Sequence, residues 1–369
     1  MSFIRNDSNE NQRSRPISNG MKPRLLYILP EYQINAHTHF SYIPDFLTLL
    51  SNTFEIRLLV EKGEVPQISG LHSRRASILS IIRARLSGYR ICYVHYSFGS
   101  AFVASIVFRI TGGKVFYWNC GLPWEYLRPF LRDRFERLVY QLVSFVVTGT
   151  QGLAHRYAKE YHLRESKVLV MPNWIDVEGV QRTTSRVPKE EIRKQIGIVE
   201  NQQMVLFAHR LSPRKGAHYL LEIAKHLPDG VVLTAVGDGP VRVRLEGKKN
   251  IIVAGWQPHA QVLSHMASSA VFIMPSDEEG FPHVLLEAMA LGIPFVATNV
   301  GGVAEIVPRS FVSQLISKGD MAAFSSRLSQ VLSLSPSEKA GMVREMREWV
   351  RQYDSHTVAK IFSTMIEQS

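Results

Sequence analysis

The chain has 369 residues, 45% of them hydrophobic and 20% charged, enough for two soluble domains of ordinary size. Its two cysteines, Cys92 and Cys120, have no metal-ligand spacing and exclude a disulfide framework, which points to a reducing, cytoplasmic setting. The net charge of +11 is uneven: residues 1–176 hold 22 Lys/Arg against 13 Asp/Glu, and residues 177–369 hold 21 against 19.

Residues 1–20 are polar, lack the apolar run of a signal peptide, and read as a disordered tail. A first α/β series fills residues 21–176. Its strands are expected at Arg24–Leu29, Phe54–Val60, Ile91–His95, Lys114–Trp118, Phe145–Thr148 and Lys167–Met171, with helices between them, notably Pro44–Leu50 and Tyr126–Leu142. Arg74, Arg75, Arg83, Arg85 and Arg90 interleave with Ile78, Leu79, Ile81, Ile82 and Leu86, as in a basic amphipathic helix. A second basic cluster follows at Arg128, Arg132, Arg134 and Arg137. Such a helix suits an anionic membrane surface, and a solvated basic face over a buried apolar stripe gives the same pattern. The longest apolar stretches, Ala101–Phe108 and Leu142–Thr148, fall short of the roughly 20 residues that span a bilayer. No recognition motif accompanies the charge, so nucleic acid is not an expected partner.

Asn173-Trp174-Ile175-Asp176 and the polar stretch Glu178–Lys189 read as a linker. A second α/β series, residues 177–352, has strands expected at Met204–Ala208, Val231–Val236, Ile251–Ala254, Val271–Met274 and Phe295–Ala297. Helices at Ser337–Gln352 and Ser355–Glu367 close the chain. Alternation of this kind predicts parallel sheets covered by helices on both faces.

Open parallel sheets bind ligands beyond the carboxyl ends of their strands, and every polar motif of the second half falls there. Arg210-Leu211-Ser212-Pro213-Arg214-Lys215-Gly216 follows the first strand; two cations on such a loop suit a diphosphate. Gly237-Asp238-Gly239-Pro240 follows the second, as a rim for a base or as an ordinary turn. After the fourth comes Pro275-Ser276-Asp277-Glu278-Glu279-Gly280-Phe281-Pro282-His283-Val284, running into a helix that carries Glu287. Pro282 sits where a first helical turn tolerates proline. The N–H groups of Gly280, Phe281, His283 and Val284 and the helix dipole are therefore aimed at an anion, while Glu279 and Glu287 suit sugar hydroxyls. Together they suggest a nucleotide-sugar. Asn299-Val300-Gly301-Gly302 follows the fifth strand, to admit ligand or simply to turn. His283 is open to a catalytic or a capping role, and His37 and His39 to substrate contact. No Asp-x-Asp and no H-E-x-x-H occurs, so no metal is expected, and Arg210 and Lys215 are left to neutralise the diphosphate.

These motifs, with His209 and Ala288-Met289-Ala290, resemble the retaining glycosyltransferase family 4 of GT-B fold across most of residues 204–307. The resemblance implies two Rossmann-like domains facing across a cleft, residues 21–176 on the acceptor side and 177–352 on the donor side. Residues 353–369 would form a helix crossing back to the first domain. It implies that Arg210 and Lys215 hold the donor diphosphate, Glu279 the transferred sugar, Glu287 the ribose, and that the amides after Glu279 complete the site, with Gly237 on its rim. The donor would be of UDP or GDP type and the acceptor a glycan or lipid-linked sugar, with no cofactor. Two departures stand out. Tyr117-Trp118-Asn119-Cys120-Gly121 places Cys120, beside Asn119, where relatives carry a histidine that contacts the sugar. Pro30-Glu31-Tyr32-Gln33-Ile34-Asn35 replaces a glycine-rich turn. A donor-binding subunit with weakened catalysis and a nucleotide-sugar epimerase of the same fold stay open as alternatives.

Overall fold

The computed structural model describes residues 22–33, 42–184 and 189–369; the expected tail at 1–20 and both His37 and His39 lie outside the described residues. The first sheet holds β1 (Arg24–Tyr32), β2 (Glu55–Gly63), β3 (His72–Arg75), β4 (Ile91–His95), β5 (Lys114–Trp118), β6 (Phe145–Thr148) and β7 (Val168–Val170). All are parallel, in the order β3-β2-β1-β4-β5-β6-β7. The second holds β8 (Gln203–Ala208), β9 (Val231–Val236), β10 (Ile251–Gly255), β11 (Val271–Met274), β12 (Phe295–Thr298) and β13 (Leu315–Ile316), in the order β10-β9-β8-β11-β12-β13. Strand order reverses between β1 and β4 and again between β8 and β11. The carboxyl ends of these pairs open into crevices where an open sheet takes its ligand. Central strands such as β9, Val-Val-Leu-Thr-Ala-Val, are buried along their whole length because helices cover both faces.

Four helices cover one face of the first sheet: α2 (Ile78–Leu86), α3 (Phe98–Thr111), α4 (Phe130–Leu142) and α5 (Gln151–Glu160). The opposite face takes α1 (Ile43–Leu50) and the closing helix Ser355–Gln368. Phe362 of that closing helix lies edge-on to Phe46 and Phe54, with ring centroids 6.1 and 6.0 Å away, so the end of the chain crosses back and completes the first domain. Trp174 stacks on Phe46 at 3.7 Å in the connection between the sheets, where burying one such ring contributes about 1.5–3 kcal/mol.

Three expectations are corrected. Arg74 and Arg75 lie in β3, not in a helix; this edge strand, His-Ser-Arg-Arg, has one solvated side and no hydrophobic pattern to announce it. Lys114–Trp118 is therefore the fifth strand of its domain, not the fourth. The helix expected from Tyr126 starts at Phe130, because Pro129 at its N-cap disfavours helical backbone at Arg128, and Pro123–Glu125 forms a separate 3-10 turn. Within the expected linker, Val177–Thr184 is helical and anchored by only two buried side chains, Val177 and Val180. Among the described residues no helix is long and apolar enough to cross a membrane.

Candidate active site

The loops after β8 and β11 meet at the switch point of the second sheet. Pro213–Lys215 forms one 3-10 turn that brings Lys215 over the end of β11, where its Nζ donates to both carboxylate oxygens of Glu279 at 2.8 Å. Ser276 Oγ donates to the same carboxylate at 2.7 Å. His209 approaches it with Nε2 at 3.3 Å. The Arg210 N–H donates to His209 Nδ1 at 3.1 Å, so the neutral ring carries its hydrogen on Nε2 and gives it to Glu279. Burial alone would push the Glu279 carboxyl up, but the Lys215 charge and the His209 hydrogen bond outweigh it and hold the group well below the usual carboxylate range. Glu279 is an ionised, pre-oriented acceptor.

Glu287 lies on the helix His283–Leu291, seven of whose nine residues are buried, and its Oε1 meets His259 Nε2 at 2.7 Å. Burial raises the Glu287 carboxyl, but the His259 hydrogen bond and the charges of His259, His283 and His209 together outweigh it and lower the group; in return the Glu287 bond raises His259. Pro258 caps the helix His259–Ala267, which delivers the imidazole.

A cavity of about 550 Å³ lies between the domains. Its C-terminal wall is made by His209, Lys215, Glu279, Glu287 and the run Gly280, Phe281, Pro282, His283, Val284; its N-terminal wall by Tyr42, Tyr96 and Cys120. The ring of His283, the first residue of its helix, packs 4.3 Å from that of Tyr42. Tyr96 has φ +50°, a conformation uncommon outside glycine and enriched where backbone is held for a purpose.

The other predicted residues stand further off. Arg210 is exposed and does not line the cavity. Gly237, with φ +135°, donates its N–H to Gly255 O at 2.8 Å; a Cβ there would sit 2.0 Å from His209 O, so this glycine lets the backbone carrying His209 pass. Asn119 is turned into the first domain, donating to Tyr140 Oη and accepting from the Gly121 N–H, both at 2.9 Å. Cys120 lines the cavity but is 4% exposed, and burial pushes its thiol up to about 12, so it is protonated and uncharged.

Contacts across the cleft bring the walls together. A Cβ on Gly280 would lie 1.7 Å from Cys120 O, so only a glycine permits this approach. Asn173 Nδ2 donates to Phe281 O at 3.0 Å. Glu305 accepts from the Gln151 and Gly152 N–H groups, each at 3.0 Å, and so caps α5 from the other domain. Tyr126 Oη donates to Glu278 at 2.6 Å, and Arg214 pairs with Glu278 at 3.2 Å while lying over the Tyr126 ring. Sequence reasoning missed His209, Ser276 and His259 as partners of the two glutamates, and missed Tyr126, Arg214, Glu278 and Glu305 as clasps. His209 and Ser276 lie within the polar segments after β8 and β11, whereas nothing local signals His259 or Glu305.

Residues 188–349 match the glycosyl transferases group 1 family. A Bacillus subtilis protein named for teichuronic acid biosynthesis is 39% identical over 118 residues, 32% of this chain and 30% of that protein. The UDP-Gal:α-D-GlcNAc-diphosphoundecaprenol α-1,3-galactosyltransferase of Escherichia coli is 28% identical over 313 residues, 79% of this chain and 72% of its own length. Among solved structures, Anabaena HepE in complex with UDP-glucose superposes with a TM-score of 0.74 at 17% identity, covering 94% of this chain and all of that one. With these likenesses added to the two facing parallel-sheet domains and the helix that crosses back, residues 188–349 carry a glycosyl transferases group 1 domain and the chain has the GT-B fold.

Proposed function

We propose that this protein is a retaining transferase moving a hexose-type sugar from a UDP- or GDP-type donor to a glycan or lipid-linked acceptor, without a metal. The observation that carries the reading is the buried Lys215–Glu279–His209 cluster beside a helix N-terminus in the interdomain cavity. Lys215 and the first amides of the helix suit a diphosphate, with Arg210, exposed on the same loop outside the cavity lining, adding longer-range charge. Glu279 and Glu287, each held ionised by a neighbour, suit the hydroxyls of sugar and ribose. Carboxylates engaged in this way are placed to orient the donor, not to attack its carbon. The leaving phosphate would take the acceptor's proton, and catalysis would lie in positioning and charge stabilisation, where one well-placed group contributes roughly 3–4 kcal/mol. The E. coli relative acts on a lipid-diphosphate acceptor, which favours that class here. The exposed side chains Ile106, Ile110, Phe130, Leu131 and Leu138 on α3 and α4, with Arg109 and Arg134 among them, fit a peripheral position on an anionic, cytoplasm-facing membrane surface.

A second reading, a donor-binding subunit with weakened catalysis, is favoured by one feature: Cys120 gives the N-terminal wall an uncharged, almost covered thiol where a histidine would hydrogen-bond sugar. One experiment separates the two. Melting-temperature shifts with UDP-, GDP- and ADP-sugars, followed by mass spectrometry of donor and acceptor, should show binding and transfer. Binding without donor consumption supports the second reading, and absence of any nucleotide-dependent shift sinks both.

A further inference from the structure

Four arginines, Arg57, Arg74, Arg75 and Arg83, and three serines, Ser73, Ser77 and Ser80, surround a recess of about 480 Å³ at the outer edge of the first sheet. It shares no lining residue with the interdomain cavity. The recess exists because β3 pairs with β2 in the register Arg57↔His72 and Val60↔Arg75, and the chain then turns at once into α2.

Two of the arginines are anchored. Arg57 lies flat over the Tyr89 ring, 4.6 Å from its centroid. Arg75 donates from Nη2 to Gly63 O at 2.6 Å and from Nη1 to Glu61 O at 3.3 Å. These contacts fix the side chains, while the Glu55 carboxylate acts on Arg57 from beyond ion-pair distance. Among the described residues no carboxylate ion-pairs with any of the four, and Arg74 and Arg83 make no side-chain hydrogen bond. Four like charges around one recess repel one another, and an arriving anion turns that repulsion into attraction.

Two further observations point to a ligand. The Ser73 hydroxyl is screened from solvent and has no hydrogen-bond partner among the described residues. The nine-residue helix α2 starts at the recess with Ser77 as its cap, adding the positive end of its dipole. Planar guanidinium forks, a hydroxyl and a helix start are the groups that recognise a phosphate ester.

We infer that this recess is a second anion site, separate from the cleft, for a phosphate mono- or diester. Ile78 and Leu79, each 60% exposed, follow Ser77 of the recess on the first turn of α2, which suits a phospholipid headgroup; a free phosphorylated metabolite offers the same chemistry.

The test compares the parent with R74E/R83E and R74K/R83K, both exposed positions remote from the cleft. Binding is read as a melting shift with glycerol phosphate, and as co-sedimentation with vesicles of phosphatidylglycerol or of phosphatidylcholine alone. The parent and R74K/R83K should gain about 2 °C or more at ligand well above saturation, or bind the anionic vesicles, while R74E/R83E loses at least tenfold in affinity. Binding to anionic vesicles alone assigns the site to a lipid headgroup, and an equal response to soluble glycerol phosphate assigns it to a free ester. If R74E/R83E folds but loses neither response, or the parent shows neither, the site does not exist. Should R74E/R83E fail to fold, R74Q/R83Q takes its place with the same expected loss. Because both substitutions spare every cleft residue, nucleotide-dependent shifts are retained in either case. Failure here and failure of the transferase reading are therefore separable.

Discussion

The C-terminal wall of the cleft concentrates its charge in two short segments, residues 209–216 and 275–287, where Lys215 and His209 meet Glu279 within 3.3 Å and Glu287 is paired with His259 from the neighbouring connection. The N-terminal wall is drawn from Tyr42, Tyr96 and Cys120 on three separate connections, with no residue among the three charged at neutral pH. One wall is a preformed electrostatic site. The other is an apolar, aromatic surface that meets it most closely where Cys120 O lies against Gly280 and the Tyr42 ring against His283. The charged groups of the cavity therefore belong to one domain, and the other contributes an uncharged surface to it.

That contrast can be broken at four points. The largest effect is expected for Lys215→Ala or Glu279→Ala: each should lower turnover at least tenfold and, because each leaves its buried partner uncompensated, cost about 3–5 kcal/mol in denaturant unfolding. Sugar transfer at the parent rate in both would show that the charged wall is not the working one. Gly280→Ala should come next, with turnover lower by about tenfold and a more open particle in small-angle scattering, since its Cβ and Cys120 O cannot share the space. A closed, fully active G280A would sever the proposed link between the walls.

Tyr126→Phe removes one hydrogen bond to the Glu278 carboxylate at a partly open position, and about 1 kcal/mol of interdomain stability should go with it. The readout is the first unfolding transition, and an unchanged midpoint would remove the clasp from the picture. The smallest effect concerns His259 and Glu287. His259 is raised by its bond to Glu287, so its contribution is complete below the ordinary histidine value and is lost as pH rises through the folded value. Glu287 is lowered, so its contribution is present above the ordinary glutamate value and is lost as pH falls through the folded one. The melting difference between the parent and His259→Gln should therefore be greatest between about pH 4.5 and 6.5 and shrink on either side. A difference independent of pH would show that the pair is not ionic.

Much of the charged C-terminal wall was legible because its chemistry is local. Arg210 to Gly216 and Glu279 to Glu287 each lie on one strand-to-helix connection, so spacing alone puts them on the carboxyl rim of the sheet. Ser276 and His209 fall within the same segments. His259 was hidden, because it comes from the neighbouring connection and only the packing of its helix delivers it to Glu287. The polar edge strand β3 was hidden for another reason: with one side in solvent, His72–Arg75 need not alternate, and its arginines joined a helical pattern they do not belong to.

The sequence by itself determined the alternation of strands and helices, the two-sheet layout and the charged segments on the carboxyl rim of the second sheet, because hydrophobic period and turn chemistry act over a few residues. Only the tertiary structure decided which face Cys120 turns to the cavity and which glycine must stay bare beside it. It also decided that Glu305 caps a helix 150 residues earlier in the chain, and that four arginines from β2, β3 and α2 share one recess. Those are long-range juxtapositions, set by sheet order and domain closure, and no local pattern encodes them.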